Sequence, residues 1–257
     1  MNPINLITDN YERKARLYPG LVLIAPVVIT LIGVGSAKLS TLESLGTALA
    51  GCGGAFLVAQ LARDAGKKRE KRWFETWGGM PSVAIFRHRD SRVDSITKAR
   101  YHAHLTALVK DAKAPTTEEE TSDPSSADQV YSAWSSYLRV HTRDTKKFPL
   151  VFQENVSYGF RRNVCGLRSI GIVVSALSFA GGIAWLYHSH LSGLTATPES
   201  LSALACAFVF LLLWVFRFTR DWVRIPADAY AERLVEAIYS MGTGTQPSKA
   251  RTKKGTT

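Results

Sequence analysis

Apolar residues are concentrated in four segments along the chain, at 17–37, 42–62, 166–188 and 200–218. A helix needs about 20 mostly apolar residues to cross about 30 Å of hydrocarbon, and each segment has that length. The first two segments are joined by the short stretch KLST, and the last two by SHLSGLTATPE. The pattern therefore predicts two transmembrane helical hairpins, with the polar stretch 63–165 between them.

The predicted fold class is an all-α membrane protein with four spans and a mainly helical cytoplasmic insert. The predicted segments are a cytoplasmic N-terminal lead at 1–16, hairpin 1 at 17–62, the cytoplasmic insert at 63–165, hairpin 2 at 166–218, a cytoplasmic amphipathic helix at 219–241 and a disordered basic tail at 242–257. Two alternatives remain open. The segment 17–37 also fits a cleaved signal peptide, because basic residues precede it and it ends in small residues. The second and third segments, rich in Gly, Ala and Ser, also fit buried helices of a soluble protein.

Basic residues predict the orientation of the spans, because Lys and Arg near the ends of spans remain on the cytoplasmic side. They cluster at the outer ends of both hairpins: Arg13, Lys14, Arg16, Arg63, Lys67, Lys68, Arg69, Lys71, Arg72, Arg161, Arg162, Arg168, Arg217, Arg220 and Arg224. The two short hairpin loops contain only Lys38. We therefore expect a multi-pass inner-membrane protein with both termini in the cytoplasm, in contact with anionic lipids. This topology accounts for much of the net charge of +11, so nucleic acid is not an expected partner.

Local patterns within and after the insert predict further elements. Apolar residues from Ile96 to Leu108 recur at helical steps, and Asp123 followed by Pro124 is a typical helix start. The stretch SVAIFRH, 82–88, is compatible with a short strand, and 146–163 reads as an irregular connection into the third span. Asp228 is the expected start of an amphipathic helix whose apolar positions follow a helical period.

Small residues at four-residue spacing lie in two of the spans. They are Gly46, Ala50 and Gly54 in the second, and Ser178 and Gly182 in the third. Such faces let helices approach closely. Packing within one bundle is the favoured explanation for these faces, and assembly through them is the alternative. For the protein as a whole we expect a homo-oligomer.

Two related charged stretches in the insert are the candidate site. RHRDSR supplies Arg87, Arg89, Asp90 and Arg92, and HTRDTKKFP supplies Arg143, Asp144 and Lys146. Guanidinium groups bind phosphate or carboxylate with two parallel hydrogen bonds. The stretches can thus form an anionic-ligand pocket, or a network of Arg–Asp salt bridges. His88-Arg89-Asp90 matches the opening of a kinase catalytic loop, but the other kinase motifs are missing.

A second candidate region, ENVSYGFRRN, precedes the third span. Glu154, Tyr158, Arg161 and Arg162 are the candidate residues for coupling the insert to the membrane. The alternative is an interfacial anchor, with aromatic rings among the headgroups and arginines on anionic lipid.

Few residues in the sequence indicate catalysis or the binding of a cofactor. Cys52, Cys165 and Cys206 form no CxxC pair, so we expect no metal site, and no sequence motif indicates a cofactor. No nucleophile–base pair stands out, and no span has an acid or base near its centre, which disfavours ion-coupled transport.

The two hairpins and the intervening RHRD and HTRDTKKFP stretches resemble bacterial inner-membrane proteins with two helical hairpins around a cytosolic domain. Some of these are membrane effectors in antiphage defence, and the resemblance implies such a role without assigning any residue. We expect a non-enzymatic protein whose insert binds a soluble partner, a nucleotide or another anion and couples it to an oligomeric bundle or pore. The alternatives are a membrane-bound enzyme acting on a phosphate-containing substrate, and a passive scaffold that recruits a soluble partner.

Overall fold

The computed structural model describes residues 9–35 and 54–241, and every regular element within them is a helix. In chain order these are α1 Glu12–Gly33, α2 Gly54–Thr76, α3 Pro81–Ala84, α4 Ser95–Leu108, α5 Thr117–Ser122, α6 Pro124–His141, α7 Pro149–Gly166, α8 Arg168–Leu191, α9 Pro198–Arg217 and α10 Arg220–Glu236, followed by a 3₁₀ turn at Ala237–Ser240. The first turns of α1, Glu12–Leu17, and the last turn of α9, Leu213–Arg217, are π-helical. The all-α prediction is therefore confirmed for the described residues.

Three of these helices, α1, α8 and α9, are long and apolar enough to cross a membrane. At most 28% of the apolar window in any of them is buried by the rest of the chain. Side chains such as Leu177 and Phe216, exposed at 68% and 74%, face outward. Such exposed apolar faces are typical of helices surrounded by lipid. Of the predicted second span at 42–62, residues up to 53 lie outside the described residues, so Gly46 and Ala50 are not described; Gly54 is the first residue of α2.

The chain divides into two compact units. The membrane unit lies within Met1–Pro81 and Phe152–Tyr230, and the insert unit within Ser82–Val151 and Ala231–Thr257. The boundaries at 151/152 and 230/231 fall inside α7 and α10.

Small residues set the spacing of helices in the membrane unit, where α1, α8 and α9 pack on one another. A methyl group on Gly33 would collide with Ala203, and one on Gly182 would lie 3.1 Å from the Leu204 side chain. Ser178 is buried beside them, and its hydroxyl donates to the Val174 carbonyl oxygen at 2.8 Å. Ser178 and Gly182 therefore lie where the helices of one chain meet, as the single-bundle interpretation requires.

The core of the insert unit is aromatic. Phe86, Tyr131 and Trp134 are all almost fully buried, and their ring centroids lie 5.6–6.2 Å apart. Trp134 donates its indole N–H to the Ala112 carbonyl oxygen at 3.1 Å, so its one polar group is satisfied. Asp123 caps α6 by accepting from the Ser126 backbone N–H, with Pro124 at the first helical position, as predicted.

Three local predictions are wrong. The stretch 82–88 forms no strand, because Pro81–Ala84 is a helical turn followed by further turns. The connection into the third span is the regular helix α7, which begins at Pro149, a residue suited to a first helical position. The helix after the last span begins at Arg220 instead of Asp228, and Pro226 lies inside it.

The apolar residues at helical spacing in α4 do not form its buried face. Ile96 is 67% exposed, and Ala99, Ala103 and Ala107 are exposed with it. The buried residues are instead Lys98, Tyr101, His102 and Leu105. Lys98 and His102 can be buried because their side chains find hydrogen-bond partners inside the unit.

Candidate functional site

Arg87 is the buried anchor of the charged cluster in the insert unit. It follows the turn after α3, and its guanidinium donates from Nε to Asp128 Oδ1 at 2.8 Å and from Nη2 to Asp128 Oδ2 at 2.7 Å. Asp128 lies on α6, next to the core residue Ala127. This two-bond geometry is the strong form of an Arg–carboxylate pair.

Glu120, from the acidic stretch TEEETSDP, is the second acid of the cluster. Its Oε2 accepts from the His88 backbone N–H and from the Tyr131 hydroxyl, each at 2.8 Å, and Arg89 Nε lies 3.9 Å from Oε1. Burial raises the pKa of Glu120, but the hydrogen bonds from His88 and Tyr131 outweigh it, so the net pKa is lowered. The carboxylate is therefore ionised at neutral pH.

Asp90 is held by its neighbour Arg92. It accepts from the Arg92 backbone N–H at 3.0 Å and from the Arg92 guanidinium at 2.7–3.1 Å. Burial raises the pKa of Asp90, and the Arg92 hydrogen bonds lower it further than burial raises it. An acid whose lone pairs are occupied in this way is a poor general base.

Lys98 binds the backbone of the turn between α3 and α4. Its ammonium group is buried and donates to the backbone carbonyl oxygens of Arg87, at 2.7 Å, and Asp90. Burial lowers the pKa of Lys98, while the Asp90 carboxylate acts in the opposite direction. The lysine thus holds the RHRD backbone in a closed turn.

Two histidines meet edge to face beside this turn, with ring centroids 5.0 Å apart. His88 Nε2 lies 2.9 Å from the Pro115 carbonyl oxygen, and His102 Nε2 lies 2.8 Å from that of Phe86. Burial lowers the pKa of His102, and it is a neutral hydrogen-bond donor in the core. Each ring is therefore engaged by a backbone carbonyl oxygen in or beside the cluster.

A cavity of about 350 Å³ opens next to the RHRD turn. Its lining residues are His88, Arg89, Asp90, Ser91, Val93, Asp94, Ser95, Lys98 and Ala99. Two basic and two acidic side chains face it, so its charge is mixed. Arg89, whose side chain is 56% exposed, is the most accessible cation in this lining.

The second charged stretch is organised by its own turn. Asp144 Oδ1 accepts from the backbone N–H groups of Lys146, at 2.9 Å, and Lys147, at 3.2 Å. Arg143 and Lys146 are exposed. The acids that the structure brings to RHRD are thus Glu120 and Asp128. The sequence analysis missed both, since Glu120 lies 32 residues after His88 and Asp128 lies 41 residues after Arg87, and no local pattern links them.

A buried polar junction lies in the membrane unit where α2 and α7 cross; we call it the Glu70 junction. Glu70 Oε1 accepts from the Tyr158 hydroxyl and from Arg162 Nη1, the latter at 3.2 Å. Arg162 Nε also donates to Asn163 Oδ1 at 3.1 Å. Asn163 is fully buried and donates to the Ala15 carbonyl oxygen at 2.6 Å. The junction thereby ties together α1, α2 and α7.

Backbone contact makes this crossing tight. A methyl group on Gly166 would lie 2.7 Å from the Ala65 carbonyl carbon, and one on Gly66 would lie 3.1 Å from the Arg162 carbonyl oxygen. Only glycine allows α2 and α7 to approach this closely. Burial and the Glu70 charge both raise the pKa of Tyr158, so Tyr158 stays a neutral donor.

The four predicted coupling residues are therefore divided. Tyr158 and Arg162 belong to the Glu70 junction, whereas Arg161 contacts Trp222 on α10, and Glu154 is half-buried two turns earlier on α7. The sequence analysis did not single out Glu70 or Asn163: Glu70 lies in the basic run KKREKR, and Asn163 is the last residue of the candidate stretch ENVSYGFRRN.

No group of three or more His, Cys, Asp or Glu side chains within 9–35 and 54–241 is arranged to hold a metal ion. Comparison with models of known families, with curated proteins and with solved structures gives no match to this chain.

Proposed function

We propose that this protein is an integral inner-membrane protein whose cytoplasmic insert binds a partner or anionic ligand and couples that state to an oligomeric transmembrane bundle. The three apolar helices support membrane insertion. The arginines and lysines beyond the outer ends of the hairpins support four spans with both termini in the cytoplasm.

The Glu70 junction is the observation that best supports coupling between the insert and the transmembrane bundle. It joins the beginning of the first apolar helix to the two helices that connect the membrane to the insert segment of the chain. Buried charged hydrogen bonds are strong when complete and costly when broken, so such a cluster favours discrete arrangements over gradual deformation. A junction of this kind is suited to passing a binding event along rigid helices.

The binding part of the proposal rests on the cavity beside RHRD. Arg89 at its edge and the N-terminus of α4 offer donors to a phosphate or carboxylate group. The two acids in its lining equally suit a basic or mixed protein surface. A nucleotide and a soluble protein are thus both compatible occupants.

A membrane-bound enzyme is the weaker alternative. The residues that such an enzyme would use are Asp90, His88 or Asp144, and each is already engaged: Asp90 by Arg92, His88 by Pro115 and Asp144 by its own turn. Unchanged biological activity in Asp90→Asn and His88→Ala variants would argue against it. A passive scaffold would instead co-purify with a stoichiometric soluble partner.

Membrane permeability tests the proposal. Dye uptake is measured in cells that overproduce the wild type, Glu70→Gln or Glu75→Gln, at matched levels of membrane-inserted protein. Glu75 is exposed on the same helix as Glu70 and is the control. We expect the wild type and Glu75→Gln to raise permeability. In Glu70→Gln the rise in permeability should be about tenfold smaller, which is a typical size for the coupling between two sites.

The oligomeric state in detergent completes this experiment. A wild-type protein that leaves permeability unchanged and is monomeric in detergent would contradict the pore version of the proposal. Equal loss in Glu70→Gln and Glu75→Gln would contradict the role of the junction.

A further inference from the structure

Trp222 is contacted by two arginines from different helices. The guanidinium carbon of Arg161, on α7, lies 5.0 Å from the centroid of the indole, and that of Arg217, the last residue of α9, lies 5.3 Å away. Phe160 and Phe218 pack against the same ring. The indole is thus fixed, and it gathers two cations in one place.

A proline on α10 explains why Arg161 is held there. Pro226 has no backbone N–H, so the Trp222 carbonyl oxygen, four residues earlier, lacks its helical donor. Arg161 Nη1 donates to that oxygen at 3.1 Å. The arginine replaces the missing helical hydrogen bond, and the rest of its guanidinium remains available.

The end of α9 is fixed in a similar way. Arg168 donates from Nε to the Trp214 carbonyl oxygen at 3.0 Å and from Nη2 to that of Val215 at 2.7 Å. These carbonyls belong to the last turn of the helix, where few backbone donors remain. Arg217 therefore projects from a helix end whose position is set.

The charges around Trp222 are not balanced by acids. Arg220 and Arg224, nearby on α10, pair with Asp221 at 3.6 Å and Asp228 at 3.3 Å. Within the described part of the chain, Arg161 and Arg217 form no ion pair. Burial and the charge of Arg217 lower the pKa of Arg161, while Glu154 opposes them from two turns earlier. Two cations held together in this way attract an anion.

The position of these cations indicates which anion. Arg217 ends an apolar helix long enough to cross a membrane, and Trp and Arg at such ends lie at the level of the lipid headgroups. Arg161 is half-buried and Arg217 exposed, so a headgroup can reach both. We infer that Arg161 and Arg217, gathered on Trp222, bind the phosphate of one anionic phospholipid. This site rests on the proposed membrane location.

Lipid titration of the full chain in detergent, followed by native mass spectrometry, tests the site. Phosphatidylglycerol is compared with phosphatidylcholine of the same acyl chains. We expect the wild type to prefer phosphatidylglycerol about thirtyfold, the equivalent of roughly 1 kcal/mol for each of the two arginines at a membrane surface. The Arg161→Gln, Arg217→Gln double variant should lose the preference.

The matched control is the Arg220→Gln, Arg224→Gln double variant, which removes the same formal charge from arginines that already have carboxylate partners. It should keep the preference. Arg217→Gln alone removes no hydrogen bond between described residues and should lose part of the preference even if the double variant misfolds. An unchanged preference in Arg217→Gln, or equal loss in the control, would overturn the site.

Inorganic phosphate distinguishes a lipid from a free anion. We expect millimolar phosphate to leave phosphatidylglycerol bound, and displacement of the lipid by phosphate alone would overturn the lipid assignment. Lipid preference in detergent requires no pore, so the outcome is independent of the permeability experiment.

Discussion

At the scale of single residues, the insert unit satisfies its buried charges with partners distant in sequence. Arg87 is paired with Asp128 and Glu120 with the His88 backbone and Tyr131. Leaving one partner of such a pair alone in the interior costs far more than the pair contributes when it is complete. The cluster therefore fixes the RHRD turn in one conformation.

The Asp128→Asn variant tests this role. It leaves the buried Arg87 guanidinium without its counter-charge, and we expect a loss of about 2 kcal/mol of stability, below the range for fully buried pairs because Asp128 is partly exposed. Thermal unfolding of the full chain in detergent measures the effect. The control is Glu236→Gln, which removes an exposed ion pair with Arg233 and should cost less than about 0.5 kcal/mol. Equal shifts would contradict a buried structural pair.

The buried His102 predicts a dependence of stability on pH. Burial lowers its pKa from the ordinary 6.5, opposed by the Phe86 carbonyl and Glu120 and assisted by His88 and Lys98. Below pH 6.5 the unfolded chain therefore takes up a proton that the folded state does not, and stability falls.

The His102→Gln variant should flatten that fall between pH 7 and pH 5, by at most about 1.4 kcal/mol per pH unit. Unfolding midpoints at pH 7, 6 and 5 measure it, with the exposed His141→Gln as the control that keeps the wild-type slope. A full slope in His102→Gln would exclude His102 as its origin.

The sequence singled out the arginines of RHRDSR but not their partners. The spacing of RHRDSR indicated a salt-bridge network or a pocket, and the structure has both a network and an adjacent cavity. Glu120 lies in the acidic stretch TEEETSDP and Asp128 in the helix that begins at Pro124, and only the folded chain brings them to His88 and Arg87. The second charged stretch, at 143–147, is a local turn that shares only its residue types with RHRDSR.

At the scale of helices, apolar length and capping residues predicted that a helix is present better than they predicted where it begins and ends. The apolar segments near residues 17, 166 and 200 are helices, and Asp123-Pro124 starts α6. The sequence analysis expected an irregular connection around Pro149 and a helix start at Asp228, after Pro226. Pro149 instead starts α7, and Pro226 is accommodated inside α10 because Arg161 supplies the hydrogen bond that proline cannot.

The Gly166→Ala variant tests the crossing of α2 and α7. The added methyl group would overlap the Ala65–Gly66 backbone, so we expect a loss of about 2 kcal/mol from overpacking. Gly181→Ala, also in a helix, meets nothing within 4 Å and should be neutral or stabilising by up to about 1 kcal/mol. Thermal unfolding in detergent compares them, and indistinguishable midpoints would contradict close backbone contact.

At the scale of the whole molecule, charge and hydropathy together determine the proposed arrangement. Three apolar helices are long enough to cross a membrane, and their exposed outward faces suit a lipid environment. In the proposed topology, the basic residues at the outer ends of both predicted hairpins keep the polar insert segment in the cytoplasm. The fourth span was predicted from apolar length at 42–62, which lies largely outside the described residues, and it remains a prediction.

Cysteine labelling of the topology tests this central claim most directly. In a chain with Cys52→Ser and Cys206→Ser, a single cysteine is introduced at Thr195 or at Thr145. Cys165 can stay, because it is buried and burial raises its pKa to about 11, which leaves almost no reactive thiolate. Intact spheroplasts are treated with a membrane-impermeant maleimide, before and after permeabilisation. The proposed topology predicts that Thr195→Cys is labelled in intact spheroplasts and Thr145→Cys only after permeabilisation. Labelling of Thr145→Cys in intact spheroplasts, or equal labelling of both, would contradict it.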